Sequence, residues 1–288
     1  MRIRSGDLER YTLGRVLGEG AELQVFAAID ADTGLEVVVK RPHPALIERS
    51  LHSDIERRVE LVTALRLDMG DSLPHVSRLV SVTPAGKHES YFGDSLGQSY
   101  NVTVEERARG LPLVGSPVDG IKGMPIGLPQ NLFALHPFVP HSDEGYLTVV
   151  RDVLDVAEAF QRAGLLVLDL RPENVFFDPR DALTTVIDVG TVTPERPATR
   201  RHAPLDLHDF YLEMFKWYTT PFGPPRDATS YGEPHGVGSV TVFRRDVESL
   251  IAQFSREACE PERSVVVEML GNVRERKYND LGEFRRDF

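Results

Sequence analysis

The sequence predicts an α+β protein, with strands concentrated in the first part of the chain and helices in the second. Residues 11–39 are predicted to form three strands, because β-forming runs are interrupted by an Asp- and Gly-containing turn signal at residues 30–34. Residues 51–67 follow with apolar side chains at helical spacing, which predicts an amphipathic helix. Residues 147–160 carry two interleaved apolar rows, a pattern typical of a well-buried helix.

The remaining segments alternate between regular and irregular patterns. Residues 76–82 are rich in β-formers, and residues 132–139 are predicted to form a further strand. Residues 84–130 are dense in Gly and Pro and contain one predicted strand, Tyr100 to Glu105, so we expect an insertion that forms a hairpin or flap. Three further helices are expected in the second half of the chain, at residues 209–218, 243–257 and 262–288.

Composition limits the class of protein. The chain has 288 residues, 41% of them apolar, which suffices for an ordinary core, and a net charge of −11, which disfavours binding to nucleic acid or membrane surfaces. The single cysteine, Cys259, rules out a disulfide within the chain. The N-terminus lacks the apolar core of a signal peptide, and no apolar run is long enough to span a bilayer. We therefore expect a cytoplasmic protein.

Two short polar motifs follow apolar runs in the second half of the chain. The segment Asp169-Leu170-Arg171-Pro172-Glu173-Asn174 follows residues 165–168, and Asp188-Val189-Gly190 follows residues 186–187. One aspartate can orient a hydroxyl nucleophile, while an asparagine and a second aspartate can hold Mg²⁺ against nucleotide phosphates. The pair of motifs therefore favours phosphoryl transfer.

A phosphate cradle and a lysine lie upstream of these motifs. Gly18 and Gly20 stand between two strand-like runs, where glycine allows the backbone to approach a phosphate closely. Val25 follows, and the apolar strand of residues 37–39 ends at Lys40.

The order and spacing of these four motifs resemble the eukaryotic-like protein kinase family, from about residue 11 to about residue 220. The resemblance implies a two-lobed fold. Residues 1–139 would form a small, mainly β lobe with one helix and an insertion at about residues 84–130, and residues 140–288 would form a larger α-helical lobe. It also implies that ATP and Mg²⁺ bind in the cleft between the lobes.

The resemblance implies a role for each matching residue. On the nucleotide side, the family's pattern assigns ATP binding to five residues: Gly18, Gly20, Val25, Val38 and Lys40. A glutamate on the following helix holds the lysine in this family; Glu60 is our first choice, and Glu56, one turn earlier, remains open. On the catalytic side, Asp169 would act as base, Arg171 would lie beside the γ-phosphate, and Asn174 and Asp188 would hold Mg²⁺.

Several positions depart from the family's pattern. Leu23 replaces the third glycine, Leu168 replaces the arginine that usually receives an activating phosphate, and Val189 replaces the usual phenylalanine. The segment from Gly190 to Asp209 is short, which weakens the case for a peptide substrate. The chain therefore resembles a divergent serine/threonine kinase.

Three functions stay open at this stage. The first is an ATP- and Mg²⁺-dependent kinase that transfers the γ-phosphate to a protein Ser/Thr hydroxyl. The alternatives are a pseudokinase that binds nucleotide as a scaffold or regulator, and a small-molecule kinase using the same residues. Thr191, Thr193 and Thr199 are candidate autophosphorylation sites because they follow the Asp188 motif directly.

Overall fold

The computed structural model describes residues 4–5, 7–20, 22–70, 73–112, 145–167, 170, 174–190, 192–194, 248, 251–252, 255–256 and 262–287. In these residues the chain combines β-sheets with several helices. It divides into two compact units, an N-terminal unit of residues 1–108 and a C-terminal unit of residues 109–288. The lobe boundary expected at residues 139 and 140 lies outside the described residues.

The N-terminal unit is built on a six-stranded sheet in the order β1-β5-β6-β4-β3-β2. Among the described strands of this sheet, only the short β1 runs parallel to its neighbour, β5, and the other pairs are antiparallel. The strands are β1 Arg4–Ser5, β2 Tyr11–Glu19, β3 Leu23–Asp30, β4 Glu36–Pro42, β5 Leu79–Gly86 and β6 Tyr100–Glu106. The helices are α1 Pro44–Glu48, α2 Ser53–Met69 and α3 Glu89–Phe92.

The elements predicted for the first part of the chain are confirmed. The three strands expected within residues 11–39 are β2, β3 and β4, and the expected helix is α2. Ile55 and Val62 of its apolar stripe are buried. Leu51, which the periodicity also assigned to the stripe, precedes the helix and is 59% exposed.

One face of this sheet carries the apolar core of the unit. Phe26, Val39 and Val104 are aligned across three neighbouring strands, so their side chains share this core face. The core consists of Leu8, Tyr11, Ala28, Val37, Val39, Ile47, Tyr100, Val102 and Val104, and Tyr91, Phe92 and Leu96 pack against it. The segment between β5 and β6 therefore covers the core face.

Arg41 fastens this covering segment to the sheet. Its guanidinium lies 4.2 Å from the centre of the Phe92 ring and forms an ion pair with Asp94. It also donates to the side-chain oxygen of Gln24 at 2.8 Å and to the Tyr100 hydroxyl at 3.3 Å. A buried cation with this many partners holds the segment in one position.

The expectation of a hairpin or flap within residues 84–130 is met by a hairpin, because β6 pairs antiparallel with the preceding strand β5. The predicted strand exists as β6, but it lies inside the sheet, between β5 and β4. Residues 89–96 belong to the core cover. A flap would lie at the surface, whereas Tyr91, Phe92 and Leu96 pack against the core and β6 also pairs with the distant strand β4. Residues 113–130 lie outside the described part.

The C-terminal unit combines short antiparallel strands with helices. A three-stranded sheet has the order β10-β9-β7, and a two-stranded sheet pairs β11 with β8. The strands are β7 Leu111–Pro112, β8 Leu165–Val167, β9 Val175–Asp178, β10 Leu183–Val186 and β11 Val192–Pro194. The helices are α4 Gly145–Arg162, α5 Glu262–Arg274 and α6 Leu281–Arg286.

Helix α4 is the well-buried helix that the two apolar rows predict. Val149, Val153, Val156 and Phe160 form one fully buried row, and Leu154 and Ala157 of the second row are also fully buried. This prediction is confirmed for the side chains that the structure describes.

The single helix expected over residues 262–288 is instead two helices. Arg276 adopts a φ of +56°, which ends the helical path after α5. Asp280 then accepts a hydrogen bond from the Glu283 N–H at 2.7 Å and caps the start of α6. The helix expected at residues 209–218, most of that at 243–257, and the strand at 132–139 lie outside the described residues.

In the part of the chain that the structure describes, no helix combines the length and apolar character needed to cross a membrane.

Candidate functional site

The glycine-rich motif forms the turn of the β2–β3 hairpin. Gly18 lies opposite Val25, and the Gly20 N–H donates to the Leu23 carbonyl at 2.9 Å. A Cβ added at Gly18 would meet no atom within 4 Å, and one at Gly20 would make only an ordinary contact. Neither glycine has a positive φ. Neither a positive φ nor a close contact among the described residues requires glycine at these positions, so close approach of a ligand would explain both residues.

The tip of this hairpin is tied to helix α2. Glu22 forms an ion pair with Arg58 at 2.6 Å, and its carbonyl accepts from the His43 N–H at 2.8 Å. The ion pair therefore links the hairpin tip to α2, and the hydrogen bond links it to the residue that follows β4.

Val25, Val38 and Lys40 lie on the sheet face opposite the core. Val25 is directly across from Lys40, and Ala27 is directly across from Val38, so all four side chains share one face. Val25 and Val38 are half-buried, and Lys40 is buried. The structure thus places three of the predicted nucleotide-binding residues together.

Lys40 forms a buried ion pair with Glu105 of β6. Its Nζ lies 2.9 Å from Glu105 Oε2, and the two side chains are only 7% and 8% exposed. Arg66 of α2 contacts the other carboxylate oxygen, Oε1, at 2.8 Å. Ser77 donates its hydroxyl to Oε2 at 2.7 Å. We call these four residues the Glu105 cluster.

The surroundings of Glu105 lower the pKa of its carboxyl group. Burial by itself would raise the pKa of this carboxyl, because it disfavours the charged form. The Lys40 and Arg66 cations and the Ser77 hydrogen bond outweigh that effect and lower the pKa of Glu105 to about 2. The cluster therefore holds an ionised carboxylate between two cations at neutral pH.

The prediction that Glu60 holds Lys40 is not met in this structure. Glu60 is exposed and accepts a hydrogen bond from the Asn101 side chain at 3.4 Å. The alternative, Glu56, accepts from the Asn101 backbone N–H at 2.8 Å and lines a small pocket with Lys40. Among the described residues, the carboxylate paired with Lys40 is that of Glu105, and neither Glu56 nor Glu60 forms an ion pair with Lys40.

Two signals for the Glu105 cluster were present in the sequence. Ile55, Val59, Val62 and Arg66 recur at helical spacing, so a cation continues the buried stripe of α2. Glu105 closes the predicted strand from Tyr100. The missing information was the pairing of β6 with β4, which are distant in the chain and whose register no local pattern reveals.

In the C-terminal unit, the two polar motifs occupy equivalent connections. One motif lies in the chain between β8 and β9, and the other lies between β10 and β11. Strand β8 pairs with β11, and β9 pairs with β10, so both connections run from one strand pair to the other. This topology places Asn174, the last residue of the first motif, and Asp188, the first residue of the second motif, at the same end of the β9–β10 hairpin.

Asn174 and Asp188 both lie at that end of the hairpin. Val175 is paired with Val186, and the Ile187 N–H donates to the Asn174 carbonyl at 2.8 Å, which extends the β9–β10 ladder by one step. Asp188 is the next residue and has a φ of +57°, a conformation uncommon outside glycine but tolerated by aspartate. An amide oxygen and a carboxylate oxygen are ligand types that suit Mg²⁺.

The other predicted catalytic residues, Asp169 and Arg171, lie outside the described residues, as do Thr191 and Thr199. The backbone of Thr193 belongs to β11 and is paired with Leu166.

Comparison with known proteins assigns no family to the chain. No protein-family model matches it, and no curated protein matches its sequence.

Proposed function

We propose that this chain is an ATP- and Mg²⁺-dependent kinase that transfers the γ-phosphate to a hydroxyl group, with a protein Ser/Thr residue as the acceptor. The observation that carries the proposal is the register of the β9–β10 hairpin, which places Asn174 and Asp188 at the same end of that hairpin. These two residues come from separate motifs, and each has a side chain suited to Mg²⁺ coordinated by nucleotide phosphates.

The N-terminal unit adds support from independent residues. Val25, Val38 and Lys40 share one sheet face. On the neighbouring strand the space beside Gly18 is open, because a Cβ added there would meet no atom within 4 Å. Apolar side chains suit the base of a nucleotide, a lysine suits its phosphates, and glycines allow close backbone approach. The resemblance drawn from the sequence assigns the same roles to these residues.

The proposed reaction is an in-line transfer. Asp169 accepts the proton of the attacking hydroxyl, whose oxygen forms a new bond to the γ-phosphorus as the bond to the β-phosphate oxygen breaks, with ADP leaving. Mg²⁺, held by Asn174 and Asp188, would neutralise charge on the phosphates. Lys40 and Arg171 would supply further positive charge.

A second candidate is a pseudokinase that binds nucleotide without turnover. The observations in its favour are departures from the kinase pattern: Leu23 in the glycine-rich hairpin, Leu168 before Asp169, and the short segment from Gly190 to Asp209. On this account, ATP and Mg²⁺ would raise the melting temperature while no phosphate is transferred.

The test is transfer of label from γ-labelled ATP, with Mg²⁺, to the chain itself, to a Ser/Thr peptide library and to a metabolite panel. We expect label on protein or peptide with the wild type and none with Asp169→Ala or Asp188→Asn. Label that persists in Asp188→Asn would contradict the site. Label on metabolites alone would identify a small-molecule kinase, and melting shifts without label would identify the pseudokinase.

A further inference from the structure

We infer that Glu105 of β6, and not a glutamate of α2, is the residue that positions Lys40 for nucleotide phosphates, with α2 contributing Arg66. This inference rests on the proposed function, because it concerns the same nucleotide site. It assigns a positioning role to a residue that the resemblance drawn from the sequence does not single out.

The orientation of the Glu105 carboxylate is fixed by its neighbours. Its Oε2 receives the Lys40 ammonium at 2.9 Å and the Ser77 hydroxyl at 2.7 Å, and its Oε1 receives the Arg66 guanidinium at 2.8 Å. Arg66 also donates to the Ser77 carbonyl, which fixes the guanidinium in turn. A carboxylate held from both oxygens presents the lysine in one direction.

The charge balance of the cluster suits an anionic ligand. Lys40 and Arg66 each carry a positive charge, whereas Glu105 carries one negative charge, so the buried group keeps a net positive charge. A single lysine–glutamate pair would be neutral. In a site from which water is largely excluded, the remaining positive charge attracts phosphate oxygens more strongly than it would in solvent.

The two glutamates of α2 are engaged elsewhere. Glu56 and Glu60 both accept hydrogen bonds from Asn101, and Glu60 is exposed. Arg66 is the α2 side chain that reaches the Glu105 carboxylate. A shift of α2 would therefore act on Lys40 through Arg66 and Glu105, and the same helix also holds the glycine hairpin through Arg58.

The experiment measures binding of Mg-ATP and of adenosine to the intact chain by calorimetry. Glu105→Gln keeps the shape of the side chain and removes its charge. The matched control is Glu36→Gln, on the same strand as Lys40, because the Glu36 side chain is 67% exposed and pairs with Arg107 at the surface. The competing variant is Glu60→Gln.

We expect Glu105→Gln to weaken Mg-ATP binding by about tenfold and adenosine binding by less than about twofold, since Glu105 acts on the phosphates through Lys40. Glu36→Gln should change neither affinity. Adding Glu105→Gln to Lys40→Met should cause no further loss, because the lysine through which it acts is already absent. Equal weakening of both ligands would indicate a purely structural role and overturn the inference. So would a loss of Mg-ATP affinity in Glu60→Gln with none in Glu105→Gln.

Failure of the proposed function gives a different result, in which the wild type binds neither Mg-ATP nor adenosine. The ion pair between Lys40 and Glu105 is then tested by the rate at which an amine-reactive ester acylates Lys40, measured by peptide mass spectrometry. We expect labelling to rise about threefold or more in Glu105→Gln, because the amine loses its counter-ion. An unchanged rate would overturn the pairing itself. If Glu105→Gln does not fold, Ser77→Ala takes its place, and the same pattern is expected with smaller changes.

Discussion

At the scale of single residues, Glu105 links the stability of the N-terminal unit to pH. Its pKa in the folded chain is about 2, below the ordinary value of 4.5, because Lys40, Arg66 and Ser77 outweigh the effect of burial. A carboxyl with a lowered folded-state pKa stabilises the fold fully above its unfolded pKa. That stability is lost as the pH falls towards the folded value.

We therefore predict that the stability difference between wild type and Glu105→Gln is largest above about pH 5 and shrinks as the pH falls towards 2. The full contribution is on the order of 3 kcal/mol. Urea unfolding from pH 7 to pH 3 measures it. Using the difference between the two proteins removes the contribution of other carboxylates, such as Asp30, whose pKa is lowered by its hydrogen-bonded partner Arg10. A difference that stays constant with pH would contradict the assignment.

At the scale of elements, the contact between β7 and β9 depends on a single glycine. Gly110 directly precedes β7 and has a φ of +80°, and a Cβ at this position would lie 2.0 Å from the Phe177 carbonyl oxygen. The conformation and the close approach both exclude a side chain. Leu111 can pair with Phe177 only while residue 110 remains glycine.

We predict that Gly110→Ala lowers the free energy of unfolding of the C-terminal unit by at least about 2 kcal/mol, through backbone strain and loss of the β7–β9 pairing. Gly271→Ala is the matched control. A Cβ there meets no atom within 4 Å inside helix α5, so we expect a gain of up to about 1 kcal/mol. Urea denaturation of the intact chain compares them, and equal midpoints for Gly110→Ala and wild type would disprove the steric argument.

Local patterns predicted the elements better than their pairing. The strands β2 to β4 and the helices α2 and α4 follow from turn signals and apolar spacing, because those signals lie within the elements themselves. The position of β6 inside the sheet does not, because it depends on pairing with β4, which is far away in the chain. Lys40 could be identified from its strand, whereas its partner Glu105 required that long-range register.

The two residues proposed to hold Mg²⁺, in contrast, could be chosen from local patterns. Asn174 and Asp188 were chosen from their motifs, and the hairpin between them then accounts for their proximity. Two adjacent short strands joined by a turn form a local unit, so this part of the site was accessible from sequence. The break between α5 and α6 was not, because it depends on the backbone conformation at Arg276 and the cap at Asp280.

At the scale of the whole molecule, the proposed function requires groups from both units. The N-terminal unit supplies Lys40 with the Glu105 cluster and the glycine hairpin. The C-terminal unit supplies Asn174 and Asp188. If both sets act on one nucleotide, binding should depend on residues from both units and on Mg²⁺ together.

The most direct test of this claim is a calorimetric titration of the intact chain with ATP, in the presence and absence of Mg²⁺. We predict that wild type binds ATP and that Mg²⁺ tightens binding about tenfold or more. Lys40→Met should weaken binding with or without the metal, and Asp188→Asn should remove most of the Mg²⁺ effect. Absence of ATP binding by the wild type, or equal affinity with and without Mg²⁺ in all three proteins, would contradict the account.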